Sequence, residues 1–325
     1  MVKQVKQVLV DLPVEERHRT YLESQAQGGA VECRFAYADR STITEKDVSM
    51  ANVIIGNLPP ALIRKAGKLE WLQLDSAGAD AFTAPGILHE GALLTNASGA
   101  YGPAVSEHML AMTFDLIRHF GQYHANQQEH LWKQMGNITS VEGSTVLVMG
   151  IGDIGGSYAR KMKALGAACV IGIRRNSRQK PDWLDEQYTL EDLDQALPRA
   201  DITAMVLPGG EATQHVMDER RLRLLKKGSF LINVGRGSAI DPEGLKKVLQ
   251  EGRLGGAGLD VTEPEPLPAE DALWDFDNVL ITPHVAGQFF LQETFERIIR
   301  ICGENLRLYA DGGQPEHAVS RETGY

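Results

Sequence analysis

Thr145-Val146-Leu147-Val148-Met149-Gly150-Ile151-Gly152-Asp153-Ile154-Gly155 is the stretch on which the fold turns. The apolar run up to Met149 reads as a strand buried on both faces. The Gly-x-Gly-x-x-Gly loop after it opens a helical segment, Gly155-Gly156-Ser157-Tyr158-Ala159, that Gly166 ends. Small residues let a backbone approach a pyrophosphate, and a helix N-terminus adds N–H donors and partial positive charge. Glycines also end strands and helices for local reasons, so the flanks decide. A buried strand before the loop and a helix after it are what a dinucleotide-binding unit requires.

Working outward, short apolar runs alternate with helical patterns along the whole chain, which predicts an α/β architecture with parallel sheets. Downstream, segments 169–173, 202–207, 230–234, 258–261 and 279–282 join 145–149 as six strands, the number of a Rossmann sheet. Upstream, strands are expected at 5–10, 31–37, 52–56, 71–74 and 92–96, with a helix across 14–27. Pro103 suits a first helical turn and opens a long amphipathic segment reaching about residue 120. A further helix over 291–309 is expected to cross back, making the first domain discontinuous. The organisation read from the sequence is a dinucleotide-binding domain at 101–291 and a smaller domain built from 1–100 and 292–325.

Bulk composition narrows the function. The 325 residues hold 33 basic and 43 acidic side chains, for a formal charge of −10. That balance argues against nucleic acid or an anionic membrane as partner. Cys33, Cys169 and Cys302 are few, odd in number and widely spaced, which suits reduced thiols and neither a disulfide frame nor a metal cluster. No run reaches membrane-span length and no secretory segment is legible, so a cytoplasmic location is the expectation.

The residues after the second strand select the dinucleotide. An acidic side chain about 20 positions past the loop would accept hydrogen bonds from the adenosine ribose of NAD. This chain has Arg174-Arg175-Asn176-Ser177-Arg178 there. Arginine cannot accept those bonds but pairs with a 2′-phosphate, so Arg174, Arg175, Ser177 and Arg178 predict preference for NADP(H), with NAD(H) possible. One charge-assisted contact corresponds to about ten- to a hundredfold in preference.

Three fragments carry chemistry. Val234-Gly235-Arg236-Gly237 ends one strand, where ligands bind in open parallel sheets, and an arginine between glycines is unobstructed for a two-pronged grip on a carboxylate. Glu263-Pro264-Glu265-Pro266 offers two carboxylates that spacing alone does not separate. Thr282-Pro283-His284 closes another strand. A carboxylate on one ring nitrogen of His284 would orient the imidazole and leave the other nitrogen facing a substrate oxygen.

These stretches, in this order, make the sequence resemble the D-isomer-specific 2-hydroxyacid dehydrogenase family over nearly its whole length. The resemblance implies a flavodoxin-like α/β substrate-binding domain beside the Rossmann domain. It places Arg236, Glu265 and His284 at the family's catalytic positions, selecting Glu265 over Glu263 by its spacing from Asp260. It also implies that the backbone of Ala77 and Gly78 meets the substrate carboxylate, while Tyr101, a departure from the family pattern, is read from the sequence as a candidate substrate contact that could also be core. Gly150, Gly152, Asp153, Ile154, Gly155, Pro208, Thr213, Val234 and Asp260 take cofactor-side positions. With an arginine at 174, the chain looks like the NADP-preferring glyoxylate/hydroxypyruvate reductase branch. The expectation is hydride transfer to a small 2-oxo acid, giving a D-2-hydroxy acid, in a homodimer. The rival readings are an NAD-dependent, phosphoglycerate-like dehydrogenase and a non-catalytic nucleotide sensor.

Overall fold

The computed structural model describes residues 3–175 and 179–321. The chain forms two compact units: one holds the residues up to Tyr101 and those from Phe289 onward, the other Gly102–Gln288.

In the first unit, β1 (Val5–Val10), β2 (Glu32–Tyr37), β3 (Val53–Ile55), β4 (Trp71–Gln73) and β5 (Leu93–Thr95) form one parallel sheet ordered β2-β1-β3-β4-β5. That is the flavodoxin-like order. Leu9, Ile54, Leu72 and Leu94 put side chains into one continuous core. Trp71 is fully buried because its indole N–H finds the Thr95 hydroxyl at 2.8 Å. The helix Gln292–Ala310 belongs to this unit, and its Asn305 donates to Gln73 at 2.8 Å. The chain thus returns to the first unit after the second.

The second unit holds β6 (Thr145–Met149), β7 (Cys169–Ile173), β8 (Glu186–Tyr188), β9 (Ile202–Met205), β10 (Phe230–Asn233), β11 (Gly256–Leu259) and β12 (Val279–Ile281). They pair in parallel in the order β12-β11-β10-β9-β6-β7-β8. Chain direction through the sheet reverses between β6 and β9, the switch point at which doubly wound sheets bind ligands. The sequence reading gives six strands, and the structure adds β8. Its Glu-Gln-Tyr sequence sits half-buried at the sheet edge, so it carries no apolar signature. β11 begins and ends two residues earlier than expected. Its Gly256, Ala257 and Gly258 give little hydrophobic signal, yet glycine is needed: a Cβ on Gly256 would stand 2.7 Å from the Asn278 carbonyl oxygen.

Two helices frame the glycine loop. Asp153–Ala164 follows β6 and packs on Gly102–Arg118, where the fully buried Tyr158 hydroxyl meets Thr113 at 2.8 Å. The latter helix also packs against β10, β11 and β12.

Candidate active site

Gly150 and Gly155 each have a steric reason, and Gly152 a different one. Gly150 has φ of 92°, and a Cβ there would lie 2.5 Å from the Val206 carbonyl oxygen. A Cβ on Gly155 would lie 1.9 Å from the Gly150 carbonyl oxygen, so only a bare residue closes the strand–helix turn. A Cβ on Gly152 would meet no atom within 4 Å. Its bare face therefore leaves open approach to the N-terminus of Asp153–Ala164, which suits a diphosphate. The Asp153 carboxylate turns elsewhere and accepts the N–H of Gly102 at 2.9 Å, tying together the two helix N-termini.

Arg174 follows β7, half-buried, and its guanidinium reaches the Ile151 carbonyl oxygen of the glycine loop at 3.5 Å. Arg175 is exposed beside it, while Ser177 and Arg178 lie outside the described residues. Arg160 and Trp183, which the sequence does not single out, lie together beside the helix that follows the loop. The Arg160 guanidinium lies 5.2 Å from the indole centroid, and both side chains border Gly156. On the next crossover, the Thr213 hydroxyl donates to the Pro208 carbonyl at 2.7 Å and holds that turn closed.

The Arg236 turn is built by Asn233. Its side chain accepts the Gly235 N–H at 3.1 Å and donates to the Arg236 carbonyl at 2.9 Å. A Cβ on Gly237 would be 1.8 Å from the Thr262 carbonyl oxygen. The bare glycine therefore lets the turn carrying Arg236 lie directly against the turn carrying Glu265. Val234, just before it, is buried and donates its N–H to Met205 at 3.1 Å.

Glu265 accepts the Thr262 N–H at 3.1 Å through Oε1 and meets His284 Nδ1 at 2.9 Å through Oε2. An ionised carboxylate only accepts, so the bond assigns the proton to Nδ1 and directs Nε2 elsewhere. Both side chains are partly open to solvent, His284 at 50% and Glu265 at 39%. The neighbouring carboxylate is already committed: Glu263 Oε2 meets His215 Nε2 at 2.7 Å. The structure thus separates the two glutamates that local spacing leaves open.

His284 has φ of 53°, a left-handed conformation that costs a residue with a side chain about 1–3 kcal/mol. Asp260 offsets that cost. Its carbonyl accepts the His284 N–H at 2.8 Å. Its carboxylate, 2% exposed, accepts from the Thr282 hydroxyl at 2.6 Å, the Val285 N–H at 3.0 Å and the Ala286 N–H at 3.2 Å. Asp260, expected on the cofactor side, is placed here as the organiser of the His284 turn.

In the first unit, Ala77 and Gly78 lie in the turn after β4, where the Ser76 hydroxyl donates to the Gly78 carbonyl at 2.6 Å and Asn96 donates to the Ala77 carbonyl at 2.7 Å. Tyr101 is the third residue read from the sequence as a substrate contact. It is buried, and its hydroxyl donates to the Asp75 carbonyl at 2.6 Å, supporting this turn from behind. An aromatic residue in such a place is more often core than pocket lining. Among the described residues, no cluster of metal-ligating side chains occurs and no helix is long and apolar enough to cross a membrane.

The sequence and the fold both have counterparts among known proteins. Residues 110–286, more than half of the 325, match the NAD-binding domain of D-isomer-specific 2-hydroxyacid dehydrogenases. The chain belongs to the D-isomer-specific 2-hydroxyacid dehydrogenase family and is an oxidoreductase of that class. The crystal structure of a family member from Aeromonas salmonicida superposes with a TM-score of 0.84 at 30% identity, covering 97% of this chain and 99% of that one. An NADPH-dependent glyoxylate/hydroxypyruvate reductase from Sinorhizobium meliloti, solved with NADP and sulfate, gives a TM-score of 0.81 at 28% identity, over 98% of this chain and all of that one. A glyoxylate reductase from Thermofilum pendens is 28% identical over 285 residues, 86% of this chain and 83% of its own.

Proposed function

We propose that this enzyme reduces a small 2-oxo acid, of the size of glyoxylate or hydroxypyruvate, to the D-2-hydroxy acid with NADPH. The observation that carries the reading is the 2.9 Å contact between His284 Nδ1 and Glu265 Oε2, made beside the Arg236 turn. The bare Gly152 and the helix N-terminus behind it fit a dinucleotide diphosphate, and Arg174 fits a 2′-phosphate. When bound, a reduced nicotinamide supplies the hydride that the substrate 2-carbon accepts.

The protein's own groups do the rest. Arg236 grips the substrate carboxylate and steadies the negative charge that develops on the 2-oxygen. His284 gives the proton on Nε2 to the 2-oxygen, completing the hydroxyl group. Glu265 holds the Nδ1 proton throughout, so the ring stays oriented and its positive charge before transfer is compensated. Asp153, whose carboxylate is held by Gly102, is kept from opposing the diphosphate.

The relatives named as glyoxylate or glyoxylate/hydroxypyruvate reductases support the substrate size, and the NADPH dependence of one supports the cofactor. The test is consumption of NADPH and, separately, NADH over glyoxylate, hydroxypyruvate, pyruvate and bulkier 2-oxo acids. Turnover favouring NADPH and glyoxylate or hydroxypyruvate over the other acids is the expected result. Binding of NADPH with no turnover on any acid would discard the reductase reading.

A further inference from the structure

His108 lies on the helix Gly102–Arg118, and nothing in the periodicity of that helix marks it for chemistry. Its Nε2 is 3.0 Å from the Thr282 hydroxyl and 3.7 Å from Asp260 Oδ1, with the side chain 25% exposed. The hydroxyl proton is taken, because Thr282 Oγ1 donates to Asp260 Oδ1 at 2.6 Å. Toward His108 that oxygen is left only the acceptor role, which requires the N–H on Nε2. Donation therefore runs in one direction, from His108 to Thr282 to Asp260. Asp260 in turn gathers the Val285 and Ala286 N–H groups and, through its carbonyl, that of His284.

We propose that His108 is a positioning residue for the reaction. Its Nε2–H fixes the Thr282 hydroxyl in the rotamer that serves Asp260, and Asp260 then holds the 282–286 turn with His284 in its left-handed conformation. The inference rests on the reading of His284 as proton donor. Thr282 has other rotamers once its acceptor role is vacant, and a turn released from one of its ties exchanges its amides faster. A proton donor displaced by even about 1 Å loses much of its rate, while substrate affinity set by Arg236 hardly changes.

The test compares His108→Ala, His108→Gln and His284→Ala in the intact chain. Without cofactor, hydrogen exchange in the peptide spanning 282–288 is expected to quicken about fivefold in His108→Ala. Its kcat is expected to fall about 10- to 100-fold with KM within about twofold. Glutamine carries an amide N–H near the place of Nε2, and is expected to restore both measurements. Should His108→Ala fail to fold, His108→Leu replaces it, keeping bulk without a donor. Unchanged exchange overturns the inference. So does faster exchange with kcat intact, or a glutamine variant no better than alanine. Normal turnover in His284→Ala overturns the proton-donor reading and this inference together. A disabled His284→Ala beside an unaffected His108→Ala overturns the inference alone.

Discussion

The carboxyl edges of the two sheets carry similar side chains and use them differently. At the seven-stranded edge, Asp260 follows β11 almost fully buried, and its carboxylate accepts three hydrogen bonds that shape the His284 turn. At the five-stranded edge, Asp75 stands just past β4 and is 5% exposed. Its backbone is held on both sides, the N–H by Asn57 at 3.1 Å and the carbonyl by Tyr101. Its carboxyl group is pushed up to about 6 by burial, eased by the Arg40 guanidinium and reinforced by Asp11. A buried carboxylate given donors can organise a turn. One whose burial outweighs its donors releases its proton only at higher pH.

If the seven-stranded edge is the working edge, its variants should act on turnover and those of the other edge on stability. His284→Ala carries the largest expectation, a fall in kcat of about 10²- to 10⁴-fold with NADPH affinity nearly intact. Steady-state kinetics beside a cofactor-binding titration reads both quantities. A kcat within threefold of the parent would break the comparison at its first point. Arg174→Asp comes next. The aspartate would accept from ribose hydroxyls and repel a 2′-phosphate, so the NADPH-to-NADH ratio of kcat/KM should drop about ten- to a hundredfold. A ratio left in place would remove Arg174 from cofactor choice.

What could be read from the sequence follows from where backbone sterics leave a footprint. The glycine loop and the Arg236 turn were legible because Gly155 and Gly237 stand where a Cβ would strike a carbonyl oxygen. The alternation of strands and helices gave the α/β class, since buried parallel strands read as unbroken apolar runs. Edge strand β8 was hidden by its polar residues, and glycine-rich β11 by its lack of side chains. The roles of His108 and Asp260 depend on partners that chain folding brings from far along the sequence, Thr282 in both cases. No local pattern encodes such a pairing. Tyr101 shows the converse, an aromatic residue whose sequence context suits a pocket and whose hydroxyl is spent on a buried carbonyl.

Asp75→Asn tests the other edge and is expected to act on folding. The folded protein holds the Asp75 proton up to about pH 6, whereas the unfolded chain releases it near 3.8. Between those values the folded state binds more protons, so its stability falls as pH rises from about 4 to about 6 and then levels. Asparagine removes that loss and should add about 1–3 kcal/mol at neutral pH, with no gain near pH 3. Denaturant unfolding across that range reads the difference. A gain independent of pH would mean that packing, and not the proton, separates the two aspartates.

The smallest expected effect sharpens the comparison within the working edge itself. His215–Glu263 duplicates the chemistry of His284–Glu265, with a 2.7 Å contact and a left-handed histidine, φ of 44°. Yet in His215 the ring is joined to Glu263 through Nε2, whereas in His284 the contact with Glu265 uses Nδ1. The His215 N–H is bound to the Ser238 carbonyl at 2.7 Å, so this pair fastens the 211–215 turn to the loops beside it. Glu263→Gln keeps a partner for His215 and should leave kcat within about threefold, whereas Glu265→Gln should cost about tenfold or more. Equal losses from the two substitutions would show that carboxylate charge near the site matters more than which imidazole nitrogen is held. The geometry argues otherwise, because only one of the two rings keeps Nε2 available to give up a proton.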